Sequence, residues 1–488
     1  MKIVLVNVGF GNNGFSDFVK MPPLGLLSIA GAVSTSHQIK IIDLTVEEFS
    51  DEQLRKEFSH TDLVGVNCLH DSIIKSARIS KIAKECGAKT VFGGVHVTLA
   101  PELIELKAVD YVVRGEGEIT FKELVDAIEH HGDFQKILGL SYWDSNQNRV
   151  IHNSARPLIE DLDTLPFPRY DLIDIKKYGF FGLHYGALET SRGCSFGCDF
   201  CCVTQMYHRS YRAKSVKRVI EEYRRYANQF DWIFNVDDNY VTNWKRTMEL
   251  CDAIIASNLN LKQLVQARAD TLASHPELMD KMQKAGVKSV FLGIESMDPD
   301  ALKSMNKGVT NVKLVENAID GLQQRGISVF ASLIAGIENY YHKAKSNLMH
   351  TIDFLVGHDV DILLLNPLIC FPSTPFYAES VKKQWVKPYS IKENYMDCFP
   401  KRPDLSVQQL FHLVDMGVKR FYLNPRYFLK FGKMRRVLNP KWWWLSDPAL
   451  IWAFAQAGTK MVQICLKDSI MKEYFQQYEE TLDAREFH

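Results

Sequence analysis

Along the first 130 residues, short runs of apolar and β-branched residues alternate with stretches whose apolar positions recur at helical spacing. The runs Ile3–Val8, Ile39–Asp43, Leu63–Cys68, Thr90–Gly94 and Tyr111–Arg114 predict strands. Stretches near Leu24–Val33, Ile73–Cys86, Pro101–Leu106 and Thr120–His130 predict helices. Such alternation builds a parallel sheet with crossover helices. Gly139–Trp143, the polar run Asp144–Asn148 and Arg149–Ile151 predict a hairpin, and Leu165-Pro-Phe-Pro168 marks a boundary. The alternation then resumes six times, with strands at Gly186–Thr190, Trp232–Asp237, Leu264–Arg268, Ser289–Ile294, Ser328–Ala335 and Ile362–Asn366. A partial (β/α)6 barrel is the natural reading. Beyond residue 380 the strands stop and the pattern becomes helical. The chain is therefore α/β, divided into an open-sheet domain at 1–135, a linker with the hairpin at 136–180, a barrel at 181–380 and a helical region at 381–488.

In open α/β sheets and in barrels alike, ligands collect at the carboxyl ends of the strands. The chemistry-bearing residues follow the predicted strands. Phe92-Gly-Gly-Val-His96 and Arg114-Gly-Glu-Gly-Glu118 follow strands of the first sheet, and Asp237-Asp238-Asn239, Arg268, Glu295-Ser296 and Gly336-Ile-Glu338 follow barrel strands. After the first barrel strand comes Ser191-Arg-Gly-Cys194-Ser-Phe-Gly-Cys198-Asp-Phe-Cys201, a CxxxCxxC loop. Three thiolates this close suit one iron–sulfur cube, and because four cysteines are the ordinary complement, three leave one iron open. The competing readings are a zinc site or a set of buried thiols. Zinc wants four ligands, and the chain has no fourth cysteine or paired histidine at a suitable spacing; His208 is near but alone. Cys202 points away from its neighbour. Cys370 reads as a small core residue, and Cys68, Cys86, Cys251, Cys398 and Cys465 read as structural.

The loop and its flanks resemble the radical S-adenosylmethionine (SAM) superfamily. That resemblance implies a [4Fe–4S] cluster held by Cys194, Cys198 and Cys201, with SAM chelating the open iron and being cleaved to a 5′-deoxyadenosyl radical. It also implies SAM contacts from Asp237 and Asp238 toward the methionine amino group, Arg268 toward its carboxylate, and Glu295 with Ser296 toward the ribose. The order Pro22-Pro-Leu-Gly25, Gly93-Gly94-Val-His96, Pro101-Glu102 and Arg114-Gly115-Glu116-Gly117-Glu118 is similar to the cobalamin (B12)-binding domain of B12-dependent radical SAM enzymes. The linker Asp161–Asp171 resembles the segment that joins that domain to the barrel. These likenesses run in consistent order over residues 1 to about 380. They imply a Rossmann-like B12-binding domain before a radical SAM barrel, with Gly93, Gly94, His96, Gly115, Glu116, Gly117 and Glu118 as cobalamin contacts. Many B12 proteins carry DxHxxG after the first strand, its histidine ligating cobalt from below, whereas this chain reads Val8-Gly-Phe-Gly-Asn-Asn-Gly14; that agrees with the radical SAM subgroup, whose lower face often lacks a histidine, and leaves His70 and His96 as the alternative lower ligands.

The implied activity is methylation of an unactivated carbon of a hydrophobic small molecule or lipid, fed by an electron donor such as flavodoxin or ferredoxin. An oxidative cyclase, a ring contraction or another C–C bond-forming reaction with the same cofactors is the alternative, and a non-catalytic iron–sulfur or B12 sensor is a third. Lys+Arg and Asp+Glu both number 58, so no net charge favours nucleic acid. Ten cysteines without a secreted-type framework, and an N-terminus that reads as a strand rather than a signal peptide, point to a cytoplasmic protein. No apolar run reaches the roughly 18 to 20 residues that span a bilayer; Pro448–Leu466 is interrupted by Gln456 and Lys460. Phe421–Phe431, then Lys433, Arg435, Arg436 and Lys441-Trp-Trp-Trp444, mix aromatics with cations. That mixture suits a helical cap over the barrel mouth or peripheral contact with a membrane.

Overall fold

The computed structural model describes residues 1–9, 20–70, 72–106, 108–144, 147–180, 183–308, 311–388 and 398–426. Most of the loop Val8–Gly14, Cys465, the run Lys433–Trp444 and the apolar stretch Pro448–Leu466 lie outside them. Among the described residues no helix is long and apolar enough to cross a membrane.

The first sheet holds β1 (Lys2–Asn7), β2 (Gln38–Asp43), β3 (Leu63–Asn67), β4 (Lys89–Gly93), β5 (Tyr111–Val113), β6 (Leu140–Asp144) and β7 (Arg149–His152) in the order β2-β1-β3-β4-β5-β6-β7. The first five strands are parallel; β6 and β7 add antiparallel to the edge. Helices cover both faces, so a central strand must be apolar throughout, and Ile3, Val4, Leu5 and Val6 of β1 are all buried. The hairpin expected within the linker is thus part of this sheet. The remainder, 153–178, packs closely: Tyr226 donates to the Pro168 carbonyl at 2.7 Å and Arg218 lies 3.8 Å over the Phe167 ring. The strand order reverses between β1 and β3, the position at which doubly wound sheets open a ligand crevice.

The second sheet is the half-barrel: β8 (Gly179–Phe180), β9 (Leu183–Leu188), β12 (Trp232–Asn235), β13 (Gln263–Arg268), β14 (Val287–Glu295), β15 (Ser328–Ala335) and β16 (Ile362–Pro367), with a separate ribbon of β10 (Ser191–Arg192) and β11 (Arg212–Ala213). Six of its strands are parallel and β8 alone runs antiparallel, against β9. The large core lies between these strands and their outer helices. The helix Val407–Tyr422, capped by a Ser406/Gln409 box, covers the β16 edge. There the Tyr422 hydroxyl donates to the Leu363 carbonyl at 2.8 Å and accepts from its amide at 3.2 Å, satisfying backbone groups that an open edge would leave bare.

Candidate active site between the two sheets

The three-cysteine loop leaves β10 and returns on β11, with Arg192 opposite Arg212 in the ribbon. Gly193 adopts φ +83°, and a Cβ there would strike the Ser210 carbonyl, so only glycine fits the turn. Asp238 accepts the Gly193 amide at 2.9 Å. Farther along, Asn306 donates to the Gly197 carbonyl at 2.8 Å, the Asp199 amide donates to the Met305 carbonyl at 3.0 Å, and Phe376 donates its amide to the Asp199 carbonyl at 3.0 Å. The loop is thereby tied to segments that follow three barrel strands, β12, β14 and β16.

Burial pushes the Cys201 thiol up to about 12 and raises Cys198, whose rise is offset by the nearby Lys307 and Arg268 cations. Arg268 Nη1 lies 3.8 Å from Cys198 Sγ, and its guanidinium stacks 3.7 Å from the Phe196 ring centre. Cys202 opens the helix Cys202–Met206; its thiol is pushed up to about 11 by burial and then by Asp238.

The thiols suit a cube better than a single ion. A tetrahedral zinc with sulfurs at about 2.3 Å holds them about 3.8 Å apart. Three thiols from one loop supply the soft, sulfur-only donor set of an iron–sulfur cube, one short of a closed zinc site.

The remaining barrel residues divide into engaged and open. Asp237, fully buried, accepts the Thr190 amide, the Thr190 hydroxyl and the Ser191 hydroxyl, each at 2.6 Å. Asp237, one of the two carboxylates expected at a methionine ammonium, thus braces the start of the loop from beneath. Asp238 is pushed up to about 6 by burial. Next to it, Asn239 is 3% exposed and neither its amide nitrogen nor its oxygen has a hydrogen-bond partner. An orphaned buried amide at a strand end fits a polar ligand.

Arg268 binds both Asp270 oxygens, at 3.1 and 2.7 Å, and donates to the Lys307 carbonyl at 2.9 Å. Glu295 sits where β14 slips register against β15, at φ +64°, a strained setting for a residue with a side chain. Lys307, which no motif marked, is buried against it at 2.7 Å. The Ser296 hydroxyl accepts the Asp298 amide at 3.1 Å.

The carboxyl edge of the first sheet faces this mouth. The helix Val95–Leu99 packs on Cys202–Met206, and Ser373 donates to the Leu99 carbonyl at 3.1 Å. His70 and His96 are both buried, with their Nδ1 atoms 2.9 Å apart, and the His70 ring lies edge-on to Phe371 from the barrel. Burial pushes His96 down to about 4; burial and then His96 push His70 down to about 3, so both are neutral. A Cβ on Gly93 or Gly115 would meet nothing within 4 Å, whereas at Gly94 (φ +114°) it would come within 2.7 Å of Asn67 Oδ1. Gly117 is close-packed, its Cβ direction meeting Ile29 at 3.2 Å. Open space over two strand ends fits a large flat ligand.

Glu116 and Glu118, expected as cobalamin contacts, are engaged across the gap between the sheets. Both are buried against Arg192, and Glu116 also against Arg212. Their partners lie on the barrel side, where buried guanidinium is the strongest available counter-charge.

A B12 binding domain model matches residues 17–125, and a radical SAM superfamily model matches residues 188–348. An uncharacterized methyltransferase of Pyrococcus horikoshii is 32% identical over 419 residues, spanning 84% of this chain and 89% of its own. The anaerobic magnesium-protoporphyrin IX monomethyl ester cyclase of Rubrivivax gelatinosus is 26% identical, over 88% of this chain and 78% of its own. The fold resembles that of TsrM from Kitasatospora setae, a radical S-adenosylmethionine methyltransferase solved with tryptophan substrate and a SAM analog. The TM-score is 0.68 at 17% identity, over 87% of this chain and 89% of that one.

Proposed function

This chain belongs to the B12-binding radical SAM enzymes, whose cofactors are a [4Fe–4S] cluster, SAM and cobalamin, and from that premise we propose that it methylates an unactivated carbon of a hydrophobic small molecule or lipid. One observation carries the reading: a three-thiol loop is held between the carboxyl edges of two parallel sheets, one with open space over Gly93 and Gly115 and one a barrel mouth lined with polar groups. When bound, the cluster supplies the electron that splits SAM and cobalamin supplies the methyl group.

In this reading Cys194, Cys198 and Cys201 hold the cluster, and Arg268 sets a cation beside it and toward the SAM carboxylate. Asn239 and Asp238 receive the methionine ammonium, and Glu295, fixed by Lys307, accepts from the ribose hydroxyls with Ser296 alongside. Gly93, Gly94 and Gly115 let cobalamin approach the backbone, and the apolar neighbours of Cys370 close the barrel end. The name of the Pyrococcus relative supports transfer of a methyl group. The cyclase relative favours a second reading, oxidative C–C bond formation with the same cofactors. The aromatic and basic run at 427–444 supports a greasy substrate, and an external donor such as flavodoxin or ferredoxin supplies electrons.

The test is anaerobic reconstitution with iron, sulfide and cobalamin. About four irons and one cobalt per chain are expected. Four irons without retained cobalamin would sink the methylcobalamin route. Product mass then separates the readings, since methylation adds CH2 and cyclisation loses hydrogens.

A further inference from the structure

The cluster-bearing excursion, 193–211, starts at Arg192 on β10 and ends at Arg212 on β11, and these two residues face each other in the ribbon. One carboxylate from the other sheet grips both. Glu116 Oε1 accepts from Arg192 Nη1 at 2.9 Å and from Arg212 Nη1 at 3.0 Å, while its Oε2 accepts from Arg212 Nη1 at 2.8 Å and from the Ile159 amide at 2.7 Å. Glu118 takes the other terminal nitrogen of Arg192 at 2.6 Å, and Glu189 takes its Nε at 3.0 Å. All three Arg192 nitrogens are therefore committed, and both Glu116 oxygens carry two partners each. A carboxylate so filled has no lone pair left for the amide fringe of a corrin.

We propose that Glu116 and Glu118 are positioning residues for the cluster loop, acting through Arg192 and, for Glu116, also through Arg212, and that Glu116 is not a cobalamin contact. Arg192 is two residues from Cys194, so a shift of its guanidinium moves the first thiolate directly. Pinning both ends of the excursion adds to the bonds that Asp238, Asn306 and Phe376 make along it, and so helps to fix the splay of the three sulfurs. The Arg-Gly-Glu-Gly-Glu run thus makes the sheet domain a structural wall of the cluster site. This rests on the cofactor reading above.

The experiment uses the full chain, reconstituted anaerobically, as wild type, Glu116→Gln, Glu118→Gln and Arg192→Lys. The readouts are iron per chain, the electron paramagnetic resonance spectrum of the dithionite-reduced cluster with and without SAM, and the dissociation constant for hydroxocobalamin. Groups that orient metal ligands from behind commonly matter by about tenfold or more in metal retention. Glu116→Gln and Arg192→Lys are expected to lose iron on that scale or to shift the cluster spectrum, with cobalamin affinity within about twofold of wild type. Glu118→Gln, which leaves Arg192 two carboxylates, is expected to shift the spectrum while remaining folded. A fall in cobalamin affinity with a wild-type spectrum in the glutamine variants would overturn the proposal, as would wild-type behaviour in every readout. If Glu116→Gln fails to fold, Glu118→Gln and Arg192→Lys decide. A wild-type chain that takes up no cluster or no cobalamin would instead refute the cofactor reading itself.

Discussion

The His70–His96 pair gives the sharpest quantitative expectation. In an unfolded chain each imidazole titrates near 6.5; in the fold burial holds them down to about 3 and about 4. The unfolded state therefore binds more protons everywhere between those limits. Stability is fully present above pH 6.5 and is lost as the pH falls from 6.5 toward 4. At about pH 5 the difference for a single histidine is about 2 kcal/mol, from 1.36 kcal/mol per unit over about 1.5 units, and about 4 kcal/mol for both. The loss should be local, confined to the ends of β3 and β4 and the helix Val95–Leu99, where the rings are packed. Histidine C2-hydrogen exchange read by mass spectrometry gives each midpoint, and amide exchange corrected for intrinsic rates gives the opening free energy around residues 68–70 and 95–99. Both midpoints should lie below 5, and protection should fall by at least about tenfold between pH 7 and pH 5. His70→Gln/His96→Gln should flatten that dependence. A midpoint near 6.5 for either ring, or unchanged protection, would refute the argument that burial keeps the pair neutral.

Three further expectations follow from the site. Single Cys194→Ala, Cys198→Ala and Cys201→Ala variants should each fall from about four irons per chain to near none, while Cys202→Ala retains them; iron and sulfide analysis decides. Arg268→Lys removes the two-pronged hold on Asp270 and the bond to the Lys307 carbonyl. It should raise the SAM dissociation constant by about tenfold or more, since an ammonium cannot replace a planar fork, and an unchanged constant would place SAM elsewhere. Gly94→Ala adds a Cβ 2.7 Å from Asn67 Oδ1 at φ +114°. At about 1–3 kcal/mol of backbone strain, it should weaken cobalamin binding in titration by about fivefold or more, while iron content is unchanged.

The sequence pattern revealed strands well because a strand covered on both faces has little choice of residues: every β1 position from Ile3 to Val6 is buried, and the run is apolar. It was weaker for the helix Asp51–Phe58, which buries only Leu54 and Phe58 and is fixed instead by its Ser50/Gln53 capping box. Pro101–Leu106 forms a 3-10 helix, more tightly wound, with fewer residues per turn than its apolar spacing suggested. At the site, residue type alone does not say which way a side chain is spent. Asp237 and Asp238 are neighbours of identical chemistry, yet one accepts three bonds from Thr190 and Ser191 and the other holds the Gly193 amide. Lys307 has no motif, because its meaning comes only from Glu295 twelve residues earlier.

The acidic pair after β5 is the clearest case. Glycine-flanked acids at a strand end have the look of a ligand loop, and nothing within the run argues otherwise. Their guanidinium partners are 76 and 96 residues away for Glu116 and 74 away for Glu118, across a domain boundary, beyond any local spacing rule. What distinguishes a carboxylate that waits for a ligand from one that braces a wall is whether its lone pairs are filled. At Glu116 both oxygens are taken, at Asp237 both are taken, and at Asn239 neither amide atom is. Polar satisfaction therefore carries the proposed roles: the acids Glu116 and Asp237 are engaged with the segment that bears the three thiols, and the Asn239 amide is the group left open for a ligand.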